Sequence, residues 1–564
     1  MNFQKDKRGR ELIKLLCIPD HNDEFCFDRG LLKEMYTYCK QDVIAERHAA
    51  KLTVPLTDDE HRDWCLVEKT NDRGLRVDVD LARAATGYAE NELEEISCKI
   101  EKVTGGVITS PRQFVRIKDY LSPYMEADNG IRNAMTVVET DRRSGEVKRR
   151  IACDRNVRLK LLDLEEQQPG VLPANVKSLI ELLEEAGSSS VHKYRNMVQR
   201  ACIDERVRGA YIYSGASQTG RHSSVGLQVH NLPSKNVLKD LDLDATRKKI
   251  VSGASLSDGV MATLKSTLRY SIMADPGHLF VVADWRQIEA VMLPYLAEDP
   301  DANRVLDVFR HQFQNPEAPD IYVVQAAHIF KIPFAEVTKS QRQIGKVCVL
   351  ALGFGGGLKA FQSMARSYSI SISDYDAHCV IKSWRRANPW AQRFWYALEA
   401  AARSAVKYRS EMYEVGKIKY CVPEEGSPLY CELPSGRVLS YPDPQLEMED
   451  GPNGAEHELT SIKPQWKPKR GETEWGRINL YGGLLAENCT QAAANCLLRN
   501  AMRLADEDGW PIVATTHDEI VIEVRDGEIE DAMEGLEAIM KTRPSWGEDI
   551  PLDCGLWSGT RYCK

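Results

Sequence analysis

Two apolar, β-branched runs that lie far apart in the chain, each ending at a carboxylate, constrain the fold more than any other feature. Leu279–Glu289 reads LFVVADWRQIE and Ile512–Val524 reads IVATTHDEIVIEV. Short apolar runs bounded by turn residues suit buried strands. Asp284 ends the run Leu279–Ala283, which follows Asp275-Pro276-Gly277. Asp518 sits between Ile512–Thr516 and Ile520–Val524, with His517 and Glu519 beside it. That spacing predicts a tight strand–turn–strand that aims several side chains at one point. Plainer readings exist for both motifs. A carboxylate at a strand end can simply form a turn. A His-Asp pair also occurs in metal hydrolases, but there it sits on a helix among further histidines, and the other histidines here show no partner spacing.

Between the two runs, Arg342–Gly357 reads RQIGKVCVLALGFGGG. Thr338 followed by Gln341 is a capping-box signature, so a helix starts there. Lys339, Arg342 and Lys346 then fall on one helix face. Arg342 and Lys346 repel each other by a few tenths of a kcal/mol (roughly 0.2–0.5) in the absence of an anion, and the intervening QIG supplies no carboxylate. A solvated face is the plain alternative; a bound polyanion explains the pattern better. Two carboxylates on rigid strands opposite a cationic helix suit metal-assisted phosphoryl transfer from a nucleoside triphosphate. Asp284 and Asp518, aided by the Trp285 carbonyl, could hold two Mg²⁺, an ion that keeps several waters and needs few carboxylates.

Composition sets the frame. At 564 residues the chain suits about three or four subdomains. No apolar run approaches the ~20 residues of a membrane span and no signal peptide opens the sequence, so it is expected to stay in the cytoplasm where it is made. The fifteen cysteines include no C-x-x-C pair, which fits reduced thiols. A net charge of −9 argues against a nucleic-acid partner, but the charges are segregated. Basic residues crowd Arg142–Lys160 and Arg247–Lys249, whereas acidic ones crowd Glu90–Glu95, Glu181–Glu185 and Glu528–Glu537. Thr136–Ala152 reads as a hairpin around Ser144-Gly145, and Pro442–Gly454 and Lys463–Gly471 read as loops.

In order and content the three segments resemble motifs A, B and C of the family A DNA polymerases, the DNA polymerase I family, and most of all its bacteriophage members. The resemblance runs from about Lys5 to Lys564. It implies an α+β right-hand polymerase fold: a palm of antiparallel sheet plus helices, helical fingers and a helical thumb. The boundaries it suggests are 51–79 for a linker and the start of the polymerase, 80–200 for the thumb, 201–318 for the palm with motif A, 319–428 for the fingers with motif B, and 429–564 for the palm with motif C. The implied activity is template-directed addition of dNTPs to a primer 3′-hydroxyl in phage DNA replication, by a monomer on primer–template DNA. Asp284, Trp285 and Asp518 would then be metal ligands, and Glu519 an outer one. Arg342 and Lys346 would hold the triphosphate.

Further roles are carried over on matching residues. Phe354 matches the aromatic that packs at the template base. Leu350 stands where many members carry Phe or Tyr, which leaves discrimination against dideoxynucleotides open. Glu289 matches the glutamate that blocks a 2′-hydroxyl. Ser214–Ser224 (SGASQTGRHSS) with His230-Asn231-Leu232-Pro233 resembles the TGRLSS…NLP segment, which gives Arg221 and Asn231 contacts to DNA. Gln491 matches the palm helix at the minor groove, where donors test duplex shape without reading sequence. His517 matches the histidine beside the primer terminus. Arg286, Val291, Asn495 and Cys496 depart from the common pattern.

Residues 1–50 contain YCKQD, Tyr38 to Asp42, which resembles the last motif of the DnaQ-like proofreading exonucleases. The earlier motifs of that nuclease are absent, so the segment is expected to be a C-terminal remnant without 3′→5′ exonuclease activity, its front truncated or supplied by a separately encoded polypeptide. Two other readings stay open: a single-subunit RNA polymerase, against which Glu289 counts, and a catalytically idle DNA-binding scaffold.

Overall fold

The structure is a computed structural model that describes residues 7–20, 22, 24–140, 147–187, 189–233, 238, 241–257, 259–368, 370–451, 454–465 and 475–563. It divides into two compact units, Met1–Cys65 and Leu66–Lys564. Among the described residues no helix is long and apolar enough to cross a membrane, and all fifteen cysteines are unbridged.

The first unit is built on helices α1 (Lys7–Leu16) and α2 (Arg29–Leu52). Asp28 caps α2 by accepting from the Leu31 N–H, which satisfies one of the donors a helix start leaves open. Tyr38 lies on α2 with its ring against Gly9 of α1, where any Cβ would meet the ring at 2.2 Å. Asp42 is exposed on the same helix. The expected linker from Lys51 is shorter than its sequence suggests, because α2 runs on to Leu52 before the chain extends at Thr53.

In the second unit the long helix α3 (Val79–Val103) begins at Asp78, whose side chain accepts from the Leu81 N–H. Its later turns enter a separate core in which Ile96, Ile100, Leu121, Leu161, Leu179 and Ile180 are fully buried. The expected hairpin is present as β1 (Thr136–Thr140) and β2 (Val147–Ile151), in register from Thr136↔Ile151 to Thr140↔Val147. Its turn, with Ser144-Gly145, lies outside the described residues.

One sheet of the second unit is four-stranded and antiparallel, and it holds both acidic runs. Its central strand β3 (His278–Trp285) carries Phe280, Val281, Val282 and Ala283, all at most 1% exposed. Burial on both faces is why the sequence runs apolar there instead of alternating. Helix α4 (Ile288–Ala297) follows at once, and α5 (Ile321–Phe330) precedes α6 (Lys339–Leu352). Helix α6 starts at the anticipated capping box, with the Thr338 and Gln341 side chains bonded to each other's backbone N–H. Gly345 is the contact point between α5 and α6, since a Cβ there would sit 2.2 Å from the Tyr322 carbonyl.

The loop reading of 442–454 needs correction, and that of 463–471 only at its first two residues. Residues 445–451 form β4 (Gln445–Gly451), which pairs with β5 (Gly454–Pro464), and β5 pairs in turn with β6 (Trp475–Asn479). Turn-forming residues are overridden here by cross-strand pairing onto the buried Leu459, Thr460 and Ser461. Residues 466–471 lie outside the described set. The almost wholly buried helix α7 (Gly482–Glu507) leads to β7 (Ile512–Thr516), β8 (Glu519–Arg525) and β9 (Cys554–Gly559). The order in the four-stranded sheet that holds the acidic runs is β7-β8-β3-β9.

Candidate active site

Strand pairing brings the two acidic runs together. Glu519 lies directly opposite Asp284 in the β8–β3 register, and the Trp285 N–H donates to the Asp518 carbonyl at 3.2 Å. Residues opposite one another in an antiparallel pair project on the same face. The β7–β8 hairpin closes on His517-Asp518 with Thr516↔Glu519 as its last pair. His517 has φ 57°, and the Asp518 N–H donates to the Thr516 carbonyl at 2.8 Å. A left-handed, β-adjacent histidine is costly for the backbone, and such strain concentrates at functional sites.

Asp284 and Asp518 are half-buried, whereas Glu519 is 2% exposed. Glu519 accepts a hydrogen bond from the Tyr562 hydroxyl, and Arg269 Nη1 lies 3.1 Å from that hydroxyl with its guanidinium over the Tyr562 ring. Burial and then the Glu519 charge push the Tyr562 hydroxyl well above the ordinary tyrosine range, so it stays a donor. Trp285 is locked by its indole N–H, which donates to the Met540 carbonyl at 2.7 Å. Among the described residues no group of three or more His, Cys, Asp and Glu is gathered for a metal. Two half-buried carboxylates plus backbone oxygens are a hard, sparse donor set, which fits Mg²⁺ and its retained waters.

A second cluster adjoins the hairpin. Arg221 Nη2 donates to Glu289, which lies in the first turn of α4 after the left-handed Gln287. Gln491 Nε2 donates to Glu487 at 3.2 Å, and burial with the Glu289 charge raises the Glu487 carboxyl. The His517 ring stacks 5.3 Å from that of His230. His517 is exposed as a residue, yet its ring is desolvated on the His230 side, and that desolvation, with the Arg221 charge, lowers its pKa. Burial, reinforced by His517, pushes His230 down to about 4. The neutral His230 donates from Nε2 to the Thr515 carbonyl at 3.1 Å. Asn231 is exposed, but its carbonyl accepts from Lys193 Nζ at 2.8 Å, as the Gln228 carbonyl does at 3.0 Å.

The cationic helix face departs from the expectation. Arg342 is not left facing only Lys346: its Nε donates to Asp320 at 2.9 Å, and its Nη2 bonds the same oxygen. Asp320 also caps α5 through the Val323 N–H. The carboxylate sits on a neighbouring helix, where no i,i+4 rule looks for it. Lys346 Nζ lies 5.6 Å from the Tyr322 ring and 4.9 Å from the Tyr368 ring, within cation–π range. Leu350, Phe354 and Glu289 share a cavity of about 40 Å³ with Trp384 and Trp390. Asp320, Lys193 and Tyr562 were not anticipated, because each acts through a contact distant in sequence.

Strand pairing thus sets the two acidic motifs on adjacent strands of one antiparallel sheet, and a separate helix carries Arg342 and Lys346. The polymerase domain of Pol1 from M. smegmatis, solved in complex with DNA primer-template and dNTP, shares this fold at TM-score 0.56 and 15% identity, over 99% of this chain and 79% of that one. The family model for DNA polymerase family A matches residues 89–415. The chain is similar to the DNA polymerase of Bacillus phage SP02, 32% identical over 98% of this chain and 80% of that protein. DNA polymerase I of Pseudomonas aeruginosa is 22% identical over 52% of this chain and 26% of its own length. The chain belongs to DNA polymerase family A.

Proposed function

We propose that the chain is a DNA-directed DNA polymerase whose chemistry is centred on Asp284 and Asp518. The observation that supports this most is the β3–β8 register, which pairs Asp284 with Glu519, the residue next to Asp518, although the two runs lie far apart in sequence. Family A polymerases use divalent metal ions, and here Asp284, Asp518 and the Trp285 carbonyl would hold two Mg²⁺, with Glu519 outside them. When bound, such ions lower the pKa of a primer 3′-hydroxyl and neutralise the triphosphate.

The protein's own share is placement. Arg342 and Lys346 hold the triphosphate, and the incoming anion draws Arg342 away from Asp320. Leu350 and Phe354 pack against the base pair being formed. Glu289 fills the space a 2′-hydroxyl would need, which selects deoxyribonucleotides over ribonucleotides. Arg221, Asn231, Gln491 and His517 hold the primer end of the duplex. In this reading residues 80–200 are the thumb, 319–428 the fingers, and 201–318 with 429–564 the palm.

The first unit lacks a nuclease of its own in this reading. Its exposed Asp42 is one carboxylate, and Tyr38 packs into a helix crossing. Proofreading then needs a further polypeptide segment, in the same chain or in another. The deciding experiment is extension of a primed template with dNTPs, with the Asp284→Asn and Asp518→Asn variants alongside. Both variants are expected to be inactive, and undiminished extension by either would overturn the assignment. Equal use of NTPs by the wild type would favour an RNA polymerase instead.

A further inference from the structure

The loop that carries Arg221 is held by a clamp that its family resemblance does not assign. Residues 214–220 are left-handed at both ends, with φ 49° at Ser214, uncommon for a side-chain-bearing residue, and 65° at Gly220. The loop closes on itself through the Ala216 N–H, which donates to the Arg221 carbonyl at 3.0 Å. Two guanidiniums reach it from elsewhere in the palm. Arg437 donates to the Thr219 carbonyl at 2.6 Å, to the Gly220 carbonyl at 3.4 Å and to the Ala492 carbonyl of α7 at 3.2 Å. Arg499, itself on α7 and 3% exposed, donates to the Gly220 carbonyl, Ser214 Oγ and the Tyr213 hydroxyl, each at 2.8 Å. Gly220 suits its place, with a left-handed φ of 65° and Arg437 Nη1 only 2.8 Å from where a Cβ would stand.

Besides the Gly220 carbonyl, one side-chain atom joins the two arginines. Asn495 Oδ1 accepts from Arg437 Nη1 at 3.2 Å and from Arg499 Nε at 2.9 Å, and the residue is 2% exposed. Asn495 is also a position where this chain departs from the common family pattern. A neutral amide oxygen can serve two guanidinium donors because it carries two lone pairs. Planar guanidiniums engaged at several atoms fix orientation, which a single ammonium would not.

From this arrangement the geometry points to Asn495, Arg437 and Arg499 as positioning residues that set Arg221 against the primer end of bound DNA. The inference rests on the proposed role of Arg221. The contacts described above run to the 213–220 segment and to α7, so the clamp is expected to act chiefly on duplex binding.

The test is steady-state extension, with the KM for primer–template and the KM for dNTP measured separately. Asn495→Leu is expected to raise the primer–template KM about tenfold, equivalent to about 1.4 kcal/mol, with the dNTP KM unchanged. Asn495→Asp, which keeps the acceptor, is expected to restore it. Arg437→Lys, which keeps the charge but loses the fork, is expected to behave like Asn495→Leu and serves if that variant does not fold. Adding Asn495→Leu to Arg221→Ala is expected to do no more than Arg221→Ala alone, since coupled residues are non-additive. If Arg221→Ala leaves the primer–template KM intact, the assigned role of Arg221 fails and the clamp has nothing to position. If Arg221→Ala is impaired while Asn495→Leu and Arg437→Lys are normal, or raise the dNTP KM equally, the clamp alone is refuted.

Discussion

Arg221 and Glu289 form one ion pair, 2.5 Å from Nη2 to Oε1, so the residue proposed to hold the primer end and the residue proposed to exclude a 2′-hydroxyl share a contact. Changes at either are expected to register at both. Glu289→Ala should increase ribonucleotide incorporation and also alter the primer–template KM. A double-mutant cycle with Arg221→Ala should give a coupling energy of about 0.5–3 kcal/mol in kcat/KM. Strict additivity would mean that the pair dissolves when DNA binds.

The Arg342–Asp320 pair makes an opposite kind of prediction. Asp320→Asn keeps the cap on α5, because Asn is as good an N-cap as Asp, but removes the charge that competes for Arg342. The dNTP KM is expected to fall severalfold with little change in stability. Asp320→Ala removes the cap as well and should cost about 1 kcal/mol in denaturant unfolding. A higher dNTP KM in Asp320→Asn would show that Asp320 pre-sets Arg342 for its phosphate.

Stability should decline on mild acidification. Burial, helped by Arg499, His230 and Arg437, pushes His222 down to about 3, and burial with His517 pushes His230 down to about 4. Both are neutral in the folded protein, whereas an unfolded histidine takes up its proton near pH ~6.5. Between that pH and the folded values the unfolded chain binds more protons, so stability rises with pH there and is lost as pH falls. Thermal midpoints recorded from pH 7 to pH 4 should show the decline, and His222→Gln should flatten part of it.

Tyr562→Phe deletes the hydroxyl that Glu519 accepts from, and Glu519 is buried. Leaving a buried carboxylate short of a donor typically costs about 1–3 kcal/mol or more, so the unfolding free energy from urea titration should fall by that amount. Extension should weaken too, because Glu519 faces Asp284 across the sheet. A variant that matches wild type in both assays would show that Arg269 or water satisfies the carboxylate without Tyr562.

Much of the site was legible because its signals are local. The apolar runs before Asp284 and around Asp518 gave the strands, and Thr338 with Gln341 gave the start of α6, because burial and capping act over a few residues. The partners of those residues were not legible. Asp320 reaches Arg342 from a neighbouring helix, Tyr562 reaches Glu519 from beyond β9, and Arg437 with Arg499 grips a loop more than two hundred positions earlier. The misread 445–451 segment failed for the same reason: its composition favours turns, and only the pairing onto β5 makes it a strand.

The central position of β3 bears on how the protein is made. Both of its neighbours, β8 and β9, are translated long after it. At about 5–20 residues per second the ribosome leaves that apolar strand without its flanking partners for roughly ten to fifty seconds. An unpaired strand of this kind invites association with other chains. Nascent chains stalled after Glu507 should therefore be cleaved within 278–285 by added protease, while chains released past Gly559 should resist, which makes the proposed catalytic centre one of the last parts of the molecule to become whole.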